Sequence, residues 1–210
     1  MARRSARRGR AAAPTPRVAL FTRAGAIGRV KTRLAAQIGA RAAFEAHEAL
    51  LAGAIERLRD APDYALELHV EGDADALRKF ALPIVAQAAG DLGAKMAAAI
   101  AAFVDGGDRI GVVVGSDCPL LDRNHVRAAI AVLRDGADLA VVPAEDGGYV
   151  LIGMKAVAPI VFEGIDWGTE RVLAQTLERA READLRVALQ APLWDVDDEA
   201  GYRRWRALTP

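Results

Sequence analysis

One short run constrains the fold of this chain more than any other feature: Val112, Val113 and Val114, inside "RIGVVVG" (109–115). Successive side chains of a strand point to opposite faces, so three valines in a row make both faces apolar. A strand of that kind must be covered on both sides, as in parallel sheets sandwiched between helices. "RVALFT" (17–22) reads the same way, and "YALELHV" (64–70) alternates as a strand. "PIVAQ" (83–87), "DLAVVPA" (138–144), "GYVLIGM" (148–154) and "LRVALQ" (185–190) complete the strand set. Between them lie helical spacings. One runs from about Lys31 to Arg59, interrupted at Gly39, with Phe44, Leu51, Ile55 and Leu58 on one stripe. Others cover roughly 74–80, 91–104 with Asp91 near its start, 125–136, 170–183 and the closing "EAGYRRWRAL". Strands alternating with helices predict βαβ units and a mostly parallel sheet.

Charge divides the chain. Residues 1–16 hold five arginines and no acid, and they read as a disordered basic tail before a single domain over 17–210. That remainder carries 23 basic against 28 acidic residues, a mildly acidic balance that argues against nucleic acid as a partner. No apolar run approaches the ~18 residues of a membrane span. The lone cysteine, Cys118, excludes an internal disulfide and fits a reducing cytoplasm, where it serves as a small buried hydrophobe.

Ligands of open α/β sheets sit beyond the carboxyl ends of the strands, so the residues following each strand carry the chemistry. After the first comes "GAIGRVKTRL", where Gly28, Arg29, Lys31 and Arg33 stand at a helix entrance. Cations there oppose the helix dipole, which suits an anion such as phosphate. The loop fits neither the Walker nor the dinucleotide spacing, and a solvated basic helix start is the plain alternative. After 109–115 comes Asp117. One carboxylate together with phosphates is the usual way to hold Mg²⁺; a turn cap is the alternative, with Asp122 itself a plausible cap. After 138–144 comes Asp146-Gly147-Gly148-Tyr149, either a ligand-approach loop or a tight hairpin turn. After the last strand comes "WDVDD", where Asp195 and Asp197 share a face if extended, and Asp197 or Asp198 also suits a helix cap. Trp167-Gly168-Thr169 precedes a helix that Thr169 is placed to cap. His47, His69 and His125 show no metal-ligand spacing.

Taken in order, "GRVKTRL" (28–34), "GDLGAKM" (90–96), "GSDCPLL" (115–121), "PAEDGGYVLIG" (143–153), "WGT" (167–169) and "DVD" (195–197) resemble the radical-SAM/selenodomain-associated transferases. These are a glycosyltransferase-A-like branch of the nucleotide-diphospho-sugar transferase superfamily. The resemblance implies a three-layer α/β/α sandwich with a mixed, mainly parallel sheet. It implies a nucleotide phosphate at Gly28, Arg29, Lys31 and Arg33, with Lys31 and Asp117 catalytic. It implies Mg²⁺ or Mn²⁺ on Asp117, with Asp195 and Asp197 as further contacts, and substrate at Asp146, Gly147, Gly148, Tyr149, Trp167 and Thr169. The partners expected are a nucleotide or nucleotide-sugar and an unspecified acceptor. Where the family usually has Lys-x-Pro this chain has "RAG" (23–25), Lys95 replaces an arginine, and Gly201 stands near a missing acidic pair. The implied activity is metal-dependent glycosyl transfer from a nucleotide-sugar. Nucleotidyl transfer and a non-catalytic nucleotide-binding module are the alternatives.

Overall fold

The computed structural model describes residues 15–108 and 110–208. The expected tail therefore lies outside the described residues, except for Thr15 and Pro16. Among the described residues, seven strands form one sheet: β1 (Arg17–Arg23), β2 (Ala65–Glu71), β3 (Ile84–Ala86), β4 (Gly111–Gly115), β5 (Leu139–Pro143), β6 (Tyr149–Met154) and β7 (Val187–Leu189). Their order is β3-β2-β1-β4-β6-β5-β7. Only β6 runs antiparallel, to both β4 and β5; every other pairing is parallel.

Six helices among the described residues cover this sheet or its edge: α1 (Thr32–Ile38), α2 (Ala40–Leu58), α3 (Leu92–Phe103), α4 (Arg123–Arg134), α5 (Val172–Glu182) and α6 (Glu199–Leu208). The valine run divides as the strand period requires. Val112 and Val114 join Val18, Leu20 and Leu68 against Leu51 and Ile55 of α2 and Val126 and Ile130 of α4. Val113 joins Ala19, Phe21, Val141 and Ile152 against Met96, Ile100 and Phe103 of α3 and Ala180 of α5. This is the expected three-layer sandwich. Each fully buried aliphatic side chain in it stabilises by about 1.5–3 kcal/mol. A third cluster, built on Leu34, Leu50, Trp194 and Val196, ties α1, α2 and the segment before α6 together.

Three local expectations need correction. The alternation of 64–70 suggests a polar face, yet Glu67 and His69 are buried at 5% and 4% exposure. They are accommodated because Arg17 pairs with Glu67, while His69 stacks on Phe21 and meets the edge of Phe103. The 74–80 helix is a 3-10 turn, Asp75–Phe80. Thr169 does not cap α5; Arg171 holds that position, and the Thr169 hydroxyl donates to Asp166 O (2.8 Å). The caps of α3 and α4 hold: Asp91 accepts from Ala94 N (2.8 Å), and Asp122 closes a capping box with His125.

Candidate functional site

Because β1, β2, β3 and β4 are mutually parallel, their carboxyl ends share one edge. β1 delivers Arg23, β2 delivers Glu71, Gln87 follows β3, and Ser116 and Asp117 follow β4. A cavity of about 510 Å³ opens there, lined also by Val30, Lys31, Thr32, Arg33, Lys95 and Asp197. Arg57 of α2 fixes the floor of the Asp117 loop by donating to Cys118 O (3.1 Å) and Leu121 O (2.9 Å). Cys118 itself is buried, and burial pushes its thiol pKa up, as suits an inert packing residue.

Asp197 reaches the same place by main-chain pairing. Leu193 N donates to Pro143 O (2.9 Å), and Val196 N donates to Asp117 O (3.1 Å). The "DVD" segment is thereby laid along the edge beside the Asp117 loop. Lys31 closes the arrangement. It holds a left-handed conformation (φ 46°, ψ 49°) just before α1, and its side chain is only 4% exposed. Its Nζ donates to Val196 O (2.6 Å) and lies 2.9 Å from Asp117 Oδ1 and 3.4 Å from Asp197 Oδ1. Burial disfavours the ammonium, but Asp117 and Asp197 outweigh it, so the Lys31 pKa is raised. Asp195 is pushed up to about 7, by burial first and then by Asp197, Asp146 and Asp117.

A second, smaller cavity adjoins the first, with Arg33 and Asp197 lining both. Asp146, Gly148, Tyr149, Trp167, Thr169 and Asp195 line the smaller one. The hairpin alternative for residues 146–149 is realised there, since β5 and β6 are antiparallel neighbours. Asp146 Oδ1 accepts from Gly148 N (3.0 Å), closing the turn. Gly147 lines neither cavity. Its φ is 92°, and a Cβ there would stand 2.2 Å from Glu170 O, so its close approach is to the protein's own backbone. Gly28 and Arg29 also line neither cavity, whereas Lys31 and Arg33 do.

Sequence reading undervalued one side of the cavity. Glu71 holds Arg23 and Lys95, each at 3.0 Å, and these contacts keep its carboxyl below the usual range, Lys95 first and Arg23 second. Gln87 Nε2 donates to His69 O (2.9 Å) and Thr22 O (3.1 Å), stitching the ends of β2 and β1. The strand-end rule finds both when applied to 64–70 and 83–87 as well as to the longer motifs.

Among the described residues, no three His, Cys, Asp or Glu side chains form a metal-holding group. The donor set that does converge is a pair, Asp117 and Asp197, already sharing one cation. Two carboxylates with the remaining positions left to phosphate and water match the binding habit of Mg²⁺, so the pair fits a divalent ion completed by substrate. Three cationic groups line the cavity wall and match phosphate oxygens in charge: Arg33, and Arg23 and Lys95, which share Glu71.

Residues 54–169 match the model of the family described as "Uncharacterized protein conserved in bacteria (DUF2064)". No curated protein matches the chain. Among solved structures, the chain is similar to a "putative nucleotide-diphospho-sugar transferase" of Desulfovibrio desulfuricans G20. That match has 32% identity, 88% of this chain and 83% of that one covered, and a TM-score of 0.80. It is also similar to CMP:2-keto-3-deoxy-manno-octonic acid synthetase complexed with CTP (12% identity, 92% and 98% covered, TM-score 0.60). Rv0371c of Mycobacterium tuberculosis H37Rv, complexed with manganese, is a third (17% identity, 91% and 97% covered, TM-score 0.54). The last two likenesses are ones of fold. No helix among the described residues is long and apolar enough to cross a membrane.

Proposed function

We infer the function from one premise: the chain belongs to the DUF2064 family of bacterial proteins, with the fold of the nucleotide-diphospho-sugar transferases. The reading we propose is a metal-dependent transferase that takes a glycosyl group from a nucleotide-sugar. Within the superfamily, the six ordered motifs point to the radical-SAM/selenodomain-associated branch. The single buried cysteine suits a reducing cytoplasm. The observation that carries the reading is the meeting of Asp117, Asp197 and Lys31 at the carboxyl edge of the sheet, in a cavity walled by Arg23, Arg33 and Lys95.

Catalysis at such a site is positioning and charge compensation. Arg33 and Lys95 bind phosphate oxygens, and Asp117 and Asp197 would hold a divalent ion. That ion, when bound, supplies neutralisation of the departing diphosphate. Asp146, Gly148, Tyr149, Trp167 and Thr169 line the neighbouring cavity, and we assign the acceptor to it. The bond between the sugar anomeric carbon and the diphosphate oxygen breaks. A bond from that carbon to the acceptor oxygen forms, and the acceptor proton passes to solvent.

The test is calorimetric titration of nucleotide-sugars with Mg²⁺ or Mn²⁺ into wild type and Asp117→Asn, followed by assay for released nucleoside diphosphate. The variant keeps the shape of the side chain and removes its charge. We expect metal-dependent nucleotide binding in wild type and its loss in the variant. Equal metal dependence in both would overturn the assignment of Asp117. Release of pyrophosphate from nucleoside triphosphates would point instead to nucleotidyl transfer, and binding without turnover to a non-catalytic module.

A further inference from the structure

Lys31 sits differently from a cation that waits for phosphate. Arg33, two residues on, is exposed at the cavity. Lys31 is drawn inward, with its ammonium almost wholly covered and its backbone in the left-handed region that non-glycine residues rarely adopt. An ammonium has three N–H donors. Three acceptors surround this one: Val196 O, Asp117 Oδ1 and Asp197 Oδ1. No donor is left for a phosphate oxygen. The ammonium also stands against the two carboxylates that fit a divalent ion, and two cations cannot share them without repulsion.

We propose that Lys31 is the resident counter-cation of the Asp117–Asp197 pair, exchanged for a divalent ion when a phosphate-bearing ligand draws the ammonium away. The inference rests on the reading that this pair takes a metal. It goes beyond it by assigning Lys31 two successive partners. In the free protein Lys31 neutralises Asp117 and Asp197, which would otherwise repel each other in a half-buried crevice. Free metal is thereby kept out. A ligand carrying phosphates offers the ammonium new acceptors and brings the divalent ion as its replacement. Metal and phosphate should therefore bind together far better than either binds alone.

The experiment is titration of MnCl₂ alone, followed by calorimetry and by the electron paramagnetic resonance signal of free Mn²⁺. The proteins are wild type, Lys31→Met, Lys31→Arg and the double variant Lys31→Met with Asp117→Asn. Losing one charge-assisted contact set should let Lys31→Met bind Mn²⁺ roughly tenfold to a hundredfold more tightly than wild type. Lys31→Arg, which keeps the charge, should resemble wild type, and Asp117→Asn should erase the gain. If Lys31→Met is unfolded without metal, circular dichroism during the same titration reads the exchange. Recovery of the fold, at Mn²⁺ levels that leave the wild-type melting temperature unchanged, supports it, and no recovery overturns it. Wild type binding Mn²⁺ alone as tightly as Lys31→Met overturns the exchange and leaves the metal reading standing. Absence of Mn²⁺ binding in every variant, even with pyrophosphate present, removes the metal reading as well.

Discussion

His69 should make this protein lose stability in mild acid, by an amount the structure allows to be worked out. The imidazole lies in the β2 face under α3, stacked on Phe21 at 5.6 Å and edge-on to Phe103 at 5.6 Å. Burial, followed by the Arg17 guanidinium, pushes its pKa down from 6.5 to about 4. Glu67 lies 3.4 Å from Nε2, but Arg17 already pairs with that carboxylate. A group whose folded pKa is depressed in this way favours folding above its unfolded value, and that contribution disappears as pH falls toward the folded value. The loss relative to high pH is ~2 kcal/mol at pH 5 and ~3 kcal/mol at pH 4. Replacing His69 with Gln removes the titration while keeping a polar group beside Glu67. Urea unfolding of both proteins at pH 7 and pH 5 measures the difference, because carboxylates common to both cancel. The stability of wild type should fall by roughly 2 kcal/mol more than that of His69→Gln over this interval. Parallel decline in the two proteins would refute the claim that His69 is held neutral by burial. The consequence reaches the cavity, since Phe21 lines it and Gln87 hangs from the His69 carbonyl.

Gly147→Ala should be among the most damaging single-methyl additions in the chain. The left-handed backbone alone costs about 1–2 kcal/mol, and the new Cβ must also displace the Glu170 backbone. A change in unfolding free energy below about 1 kcal/mol would show that the turn is not so constrained. Asp122→Ala removes the acceptor for Asn124 N (2.9 Å) and His125 N (3.2 Å) at the start of α4. It should cost about 1 kcal/mol and lower the melting temperature by about 2–4 °C, with metal and nucleotide binding unchanged. Weakened binding in that variant would show that the Asp117 loop leans on the cap.

The strands, most helix limits and the two-sided core were legible in the sequence, because each depends on local periodicity. Val112, Val113 and Val114 dictate a strand covered on both faces wherever it is placed, and Gly39 marks a break whatever surrounds it. The strand-end rule likewise selected Asp117, Lys31, Arg33 and the Asp195–Asp197 segment, since parallel strands deliver their carboxyl ends to one edge. What local pattern does not contain is pairing between distant segments. Glu67 and His69 look like an exposed face until Arg17 and Phe103 come to cover them. Gly147 looks free to meet a ligand until Glu170 arrives against it. Gly28 and Arg29 share a motif with Lys31, yet of the three only Lys31, itself left-handed just before α1, has its side chain turned inward. Its capture by Asp117 and Asp197, 86 and 166 residues further along the chain, was decided only by the tertiary structure. The reason is physical: a buried ammonium is stable only where the fold brings acceptors to all three of its hydrogens, and those acceptors come from separate strand ends.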